Sequence, residues 1–186
     1  MLLDSLIQAL PPHARDVARG LTALEAETVL SAVQLWGVVL ASAHAVGTRA
    51  VVEIAERAAA QAGLGETARA AARGAAAVMA QNNVYFRAIE LIGDPVLEAE
   101  PSRLRMNTVH RPAVAAVDMH LMCLAVSAIN GCGACMRSHV DALKALDARP
   151  PTLAAALRAA ALIHAASRVL AANDGAPPLH GEGQPA

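Results

Sequence analysis

The stretch ARAAARGAAAVMA, residues 68–80, limits the fold more than any other part of the chain. Alanine is the strongest helix former, whereas strands draw on β-branched and aromatic residues. The whole chain keeps this balance, with 55% apolar residues but only 2% aromatic. The expectation is an all-α protein whose small side chains let helices approach closely. At 186 residues it is long enough for one domain with a core that needs no disulfide framework.

Helical periodicity, punctuated by Gly and Pro, predicts helices near 2–10, 12–20, 27–46, 49–62, 66–80, 83–92, 112–129, 132–146 and 151–172. The helical domain is placed at 1–172. The remainder, 173–186, is Gly/Pro/polar in composition and is expected to be a disordered tail. A faint echo links AVMAQNN at 77–83 with AVSAING at 125–131, each read as an Ala-rich helix ending in an Asn-containing break. It suggests a duplicated helical hairpin in which only the second copy carries cysteines.

The formal net charge is −1, and the 15 Lys and Arg residues are scattered. Phosphate binding needs clustered cations, so no nucleic-acid partner is expected. The N-terminus, with Asp4, no basic segment and Pro11-Pro12, does not resemble a secretory signal, and the cytoplasm is the expected compartment. Residues 28–48 contain no Asp, Glu, Lys or Arg over a bilayer-spanning length. Ser31, Gln34, Ser42 and His44 favour a buried bundle helix there, and no membrane association is expected.

The chemistry concentrates in INGCGAC, residues 129–135. Asn130 and Gly131 interrupt the helical pattern and CGACMRSHVDALKAL resumes it, so Cys132 falls at a helix start and Cys135 one turn in. Unpaired backbone N–H groups and the positive end of the helix dipole stabilise thiolates at such a position. Spacing of three puts both sulfurs on one face, within reach of a small disulfide ring. His139, four residues after Cys135, lies one turn further along and can take the thiol proton. The two thiols share an expected exposed helix start, whereas Cys123 sits in the apolar run MCLAV. Two alternatives stay open. His120, Cys123, Cys132, Cys135 and His139 together offer enough ligands for zinc, and small thiols also fill Ala-rich cores. His13, His44, His110, His164 and His180 show no partner pattern, and Trp36, Tyr85 and Phe86 are expected to pack the core or subunit contacts.

QLWGVVLASA at 34–43, AAAVMAQNNVYFRA at 75–88, RLRMN at 103–107 and LAVSAINGCGACMRSHVDALK at 124–144 together resemble the AhpD alkyl hydroperoxidases of the carboxymuconolactone decarboxylase-like superfamily. The resemblance runs nearly full length. It implies an all-α fold that assembles as a homotrimer. It further implies a thiol peroxidase that draws electrons from dihydrolipoamide on a lipoylated acyltransferase and re-reduces the peroxiredoxin AhpC. No bound cofactor or metal is implied. By the same resemblance Cys135 is the nucleophile that becomes a sulfenic acid, Cys132 the proton donor and resolving thiol, and His139 a proton relay.

Two relay positions depart from the family pattern. A glutamate twelve residues before the first cysteine falls on His120, and a histidine before the second cysteine falls on Ala134. His120 is thus a possible relay substitute. The departures also leave room for an electron-transfer adaptor with little peroxidase activity of its own.

Overall fold

The computed structural model describes residues 1–173 and contains ten α-helices and one 3-10 turn, with no strand among the described residues. The helices are α1 (Asp4–Gln8), α2 (Arg15–Glu25), α3 (Ala32–Val46), α4 (Arg49–Gln61), α5 (Glu66–Ile92), α6 (Pro95–Glu98), α7 (Asn107–His110), α8 (Ala116–Ile129), α9 (Gly133–Ala145) and α10 (Pro150–Asn173). Asn173 closes α10, and the rest of the expected tail lies outside the described residues.

The apolar stretch 28–48 becomes α3, the central helix, which packs against α4, α5, α8 and α10. Every residue from 35 to 43 is buried. Ser31 caps it: its hydroxyl accepts the Gln34 N–H at 3.2 Å, while Gln34 Oε1 accepts the Ser31 N–H at 3.1 Å. Gly47, at a φ of 74°, ends it, so α3 has 15 residues and is too short for a bilayer span of about 20. One described helix, α10, is long and apolar enough to cross a membrane by length and composition alone. Its alanines Ala155, Ala156, Ala159 and Ala160 are buried in the core, where the helix packs against α3 and α8.

Small residues set the helix spacing. A Cβ on Gly20 would overlap the Leu162 side chain, and one on Gly37 would come within 3.2 Å of Met122 Sδ. Trp36 is buried in α3 as expected.

The structure corrects the segmentation in the middle of the chain. The expected break at Gln81-Asn82-Asn83 does not exist, and 66–80 and 83–92 are parts of one 27-residue helix. Asn82 and Asn83 are 3% and 1% exposed. Asn83 donates to Ser127 Oγ at 3.1 Å and accepts from Asn130 Nδ2 at 3.0 Å, so tertiary partners satisfy the amide that would otherwise favour a helix end. The two echoed segments therefore touch each other, but only the second ends a helix. The expected helix 12–20 is instead a 3-10 turn (Pro12–Ala14) leading into α2.

Candidate redox site

Asn130 caps α8, and Gly131 then adopts a φ of 67°, a left-handed conformation that suits glycine. This turn brings Cys132 to the N-cap of α9, where its sulfur accepts the backbone N–H of Cys135 at 3.2 Å. Cys132 and Cys135 are joined as a disulfide, with Cα atoms 5.3 Å apart. Both are buried, at 0% and 7% exposure, which corrects the expectation of an exposed helix start. The cause is α5, which lies across the first turn of α9. The Asn82 carbonyl oxygen is 3.9 Å from Cys135 Sγ, and Glu90 Oε2 accepts the Ala134 N–H at 2.9 Å. The other Glu90 oxygen pairs with Arg137.

Access is through a cavity of about 450 Å³. Cys135 lines it and Cys132 does not, so the two thiols are distinguished by position and not only by spacing. Met79 and Phe86 from α5, Met106, Val109 from α7 and Pro112 supply an apolar wall. His110, His120 and His139, with Asn82 and Ser138, supply the polar side, and among the described residues no carboxylate lines the space.

His120 on α8 and His139 on α9 meet directly, with their Nδ1 atoms 3.1 Å apart. Burial, with a further contribution from His120, pushes the His139 pKa down to about 4. Burial, with a further contribution from His110, also lowers that of His120. Both rings are therefore held towards their neutral forms, and each keeps one bare nitrogen with which to exchange protons.

Four of the sequence candidates, Cys132, Cys135, His120 and His139, are brought together here. Cys123 is not. It is fully buried within α8, 3.8 Å from Met119 Sδ, and burial pushes its thiol up to about 12, which leaves it inert. The zinc arrangement, four ligands drawn from His120, Cys123, Cys132, Cys135 and His139, is not assembled, because Cys132 and Cys135 bond each other and Cys123 is buried in the core. Among the described residues no three His, Cys, Asp or Glu side chains converge as a metal site. Sequence reasoning missed Met79, Asn82, Phe86, Glu90 and His110, which reach the site from α5 and α7. Phe86, expected to pack the core or subunit contacts, lines the cavity wall and meets Tyr85 edge to face at 5.2 Å between centroids. His44 pairs with Glu56 at 2.9 Å, away from this cavity.

The chain is 42% identical over 173 residues to the alkyl hydroperoxide reductase AhpD of Hyphomonas neptunium, spanning 93% of this chain and 96% of that protein. It belongs to the AhpD family of alkyl hydroperoxide reductases. AhpD of Caulobacter vibrioides is likewise 42% identical, over 93% of this chain and 94% of its own. AhpD of Streptomyces avermitilis is 40% identical, over 93% and 97%. The carboxymuconolactone decarboxylase family model matches residues 95–176, the part that carries α8, the turn at Gly131 and α9. Membership of the AhpD family agrees with the all-helical architecture and with the paired cysteines at the start of α9.

Proposed function

We propose that this chain is a thiol peroxidase that reduces alkyl hydroperoxides at Cys135. The observation that carries this is the asymmetry of the dithiol: Cys135 alone opens onto a cavity with an apolar wall, while Cys132 lies buried behind it. In the reduced protein the Cys135 thiolate attacks the terminal oxygen of the hydroperoxide. An S–O bond forms, the O–O bond breaks, and the departing alkoxide takes a proton to leave as an alcohol. The sulfenic acid at Cys135 then condenses with the Cys132 thiol, forming the disulfide and releasing water. An imidazole of the His120–His139 pair supplies and collects the proton.

The electron donor is a dithiol of the dihydrolipoyl type on a lipoylated acyltransferase, which reopens the disulfide by thiol–disulfide exchange. The peroxiredoxin AhpC is the downstream partner, and the working compartment is the cytoplasm. A homotrimer accounts for the apolar side chains left uncovered where α5 runs into α6. Val84, Leu91, Ile92 and Val96 are between 60% and 78% exposed there.

Mass spectrometry of the reduced, then alkylated, protein after one equivalent of an alkyl hydroperoxide tests this. The expected product is an intramolecular Cys132–Cys135 disulfide with Cys123 still free, accompanied by stoichiometric alcohol. Thiols that stay reduced, or a main product involving Cys123, would reject it. His120 in place of the family's glutamate favours a second reading, an adaptor that serves AhpC and barely consumes peroxide itself. Peroxide consumption measured with and without AhpC separates the two.

A further inference from the structure

Three polar groups converge on the sulfur of Met79. Its Sδ lies 3.3 Å from His139 Nε2, 3.6 Å from the Ser127 hydroxyl and 3.9 Å from Asn83 Nδ2. Met79 is 2% exposed. A thioether has no proton and acts only as an acceptor. Asn83 Nδ2 also donates to Ser127 Oγ at 3.1 Å, while Asn83 Oδ1 accepts from Asn130 Nδ2 at 3.0 Å. The chain of donors therefore runs one way, from the residue two before Cys132 towards the sulfur.

This fixes where the hydrogens of the histidine pair sit. A bare Nε2 facing the sulfur at 3.3 Å would oppose two lone pairs in a buried site, so Nε2 of His139 carries the hydrogen. His139 is neutral, since burial holds its pKa at about 4, and its Nδ1 is consequently bare. The 3.1 Å approach of the two Nδ1 atoms needs one hydrogen between them, which must then belong to His120. Neutral His120 is left with a bare Nε2 and makes no other hydrogen bond among the described residues.

We propose that Met79 is a positioning residue: acting through His139, its sulfur sets the tautomers of both imidazoles and makes Nε2 of His120 the nitrogen that exchanges a proton with the thiol cavity. The inference rests on the thiol-peroxidase reading of that cavity. When the Cys135 thiol ionises, its proton passes to His120 Nε2, leaving a thiolate and an imidazolium. The same N–H returns the proton to the alkoxide once the O–O bond has broken. His139 keeps its hydrogen on Nε2 throughout and serves as the fixed acceptor that orients His120. The groups facing the pair are Met79, Asn82 and Phe86 from α5, His110 from α7, and Cys135 and Ser138 from α9; the only other titrating groups among them are His110 and Cys135.

Two-bond proton–nitrogen NMR of the histidine-labelled full chain at neutral pH tests the assignment without any peroxide. The expected spectrum shows His139 as the Nε2–H tautomer and His120 as the Nδ1–H tautomer. In Met79→Leu, of similar volume but with no acceptor, the single Nε2–H pattern of His139 is expected to be lost to a mixture. Met79→Gln, whose amide oxygen can accept, should restore it. An Nδ1–H or doubly protonated His139 in the unmutated protein overturns the proposal, as does a Met79→Leu spectrum with both tautomers unchanged. If Met79→Leu does not fold, the spectrum of the unmutated protein decides alone. A failure to consume peroxide would count against the peroxidase reading and would leave these spectra unaffected, so the two failures are distinguishable.

Discussion

Glu90 Oε2 takes the backbone N–H of Ala134 at 2.9 Å, so a carboxylate from α5 sits on the amide between the two cysteines. Its pairing with Arg137, together with that N–H, holds its pKa below the usual carboxylate range, and it stays ionised through neutral pH. A negative charge there opposes the thiolate that the start of α9 would otherwise favour. Glu90→Gln is expected to lower the Cys135 thiol pKa and to speed its alkylation at neutral pH about two- to threefold, the scale of a charge at an exposed helix end. The pH dependence of iodoacetamide labelling reads both, and unchanged labelling would mean that the carboxylate acts only as a cap.

The His139 environment makes stability depend on acid. In the unfolded chain its imidazole takes a proton near pH 6.5, whereas in the native protein burial delays this to about pH 4. The unfolded state therefore binds more protons across that window, and native stability is lost as pH falls through it. The loss attributable to this one group is at most about 3 kcal/mol. Urea melts from pH 7 to pH 4 should show this slope, and His139→Gln should flatten it.

A carboxylate at position 120 changes the partner of His139. His120→Glu replaces a neutral ring 3.1 Å from His139 Nδ1 with a negatively charged acceptor. The His139 pKa should then rise by about one to three units, the usual effect of an adjacent opposite charge. Its midpoint is measurable by NMR titration. Peroxidase activity near neutral pH is nonetheless expected to fall, because the variant lacks the His120 Nε2 that exchanges the proton with the cavity.

The uncovered apolar side chains at the end of α5 predict self-association. Light scattering at micromolar concentration is expected to give the mass of a trimer of the 19.1 kDa chain. Leu91→Glu, at a side chain 78% exposed, should dissociate it without lowering the helical circular dichroism. A monomeric unmutated protein would rule the assembly out.

Much of the dithiol site was legible because its chemistry is local. Cys132, Cys135 and His139 lie on one helix, where spacing alone fixes which side chains share a face. The apolar run of α3 likewise announced a core helix, and α10 was read as a helix at 151–172. The break read at Asn82-Asn83 failed because helix propensity is a local quantity. The Asn83 amide finds partners on Ser127 and Asn130, more than forty residues away, which no periodicity encodes. Met79 and Glu90 went unnoticed, and Phe86 was not linked to the site, for the same reason: on α5 alone they are ordinary helix residues, and only the packing of α5 over α9 gives them a role. The start of α3, expected at 27, falls at Ala32; the capping-box spacing of Ser31 and Gln34 is the signal that marks it.

The close approach of helices through alanine and glycine has a consequence for engineering. At Ala41, Ala155 and Ala159, each 0% exposed, a larger side chain is expected to strain the packing between helices. Heat tolerance in this scaffold is therefore better sought on the surface, by rebalancing charge, than by enlarging the interior.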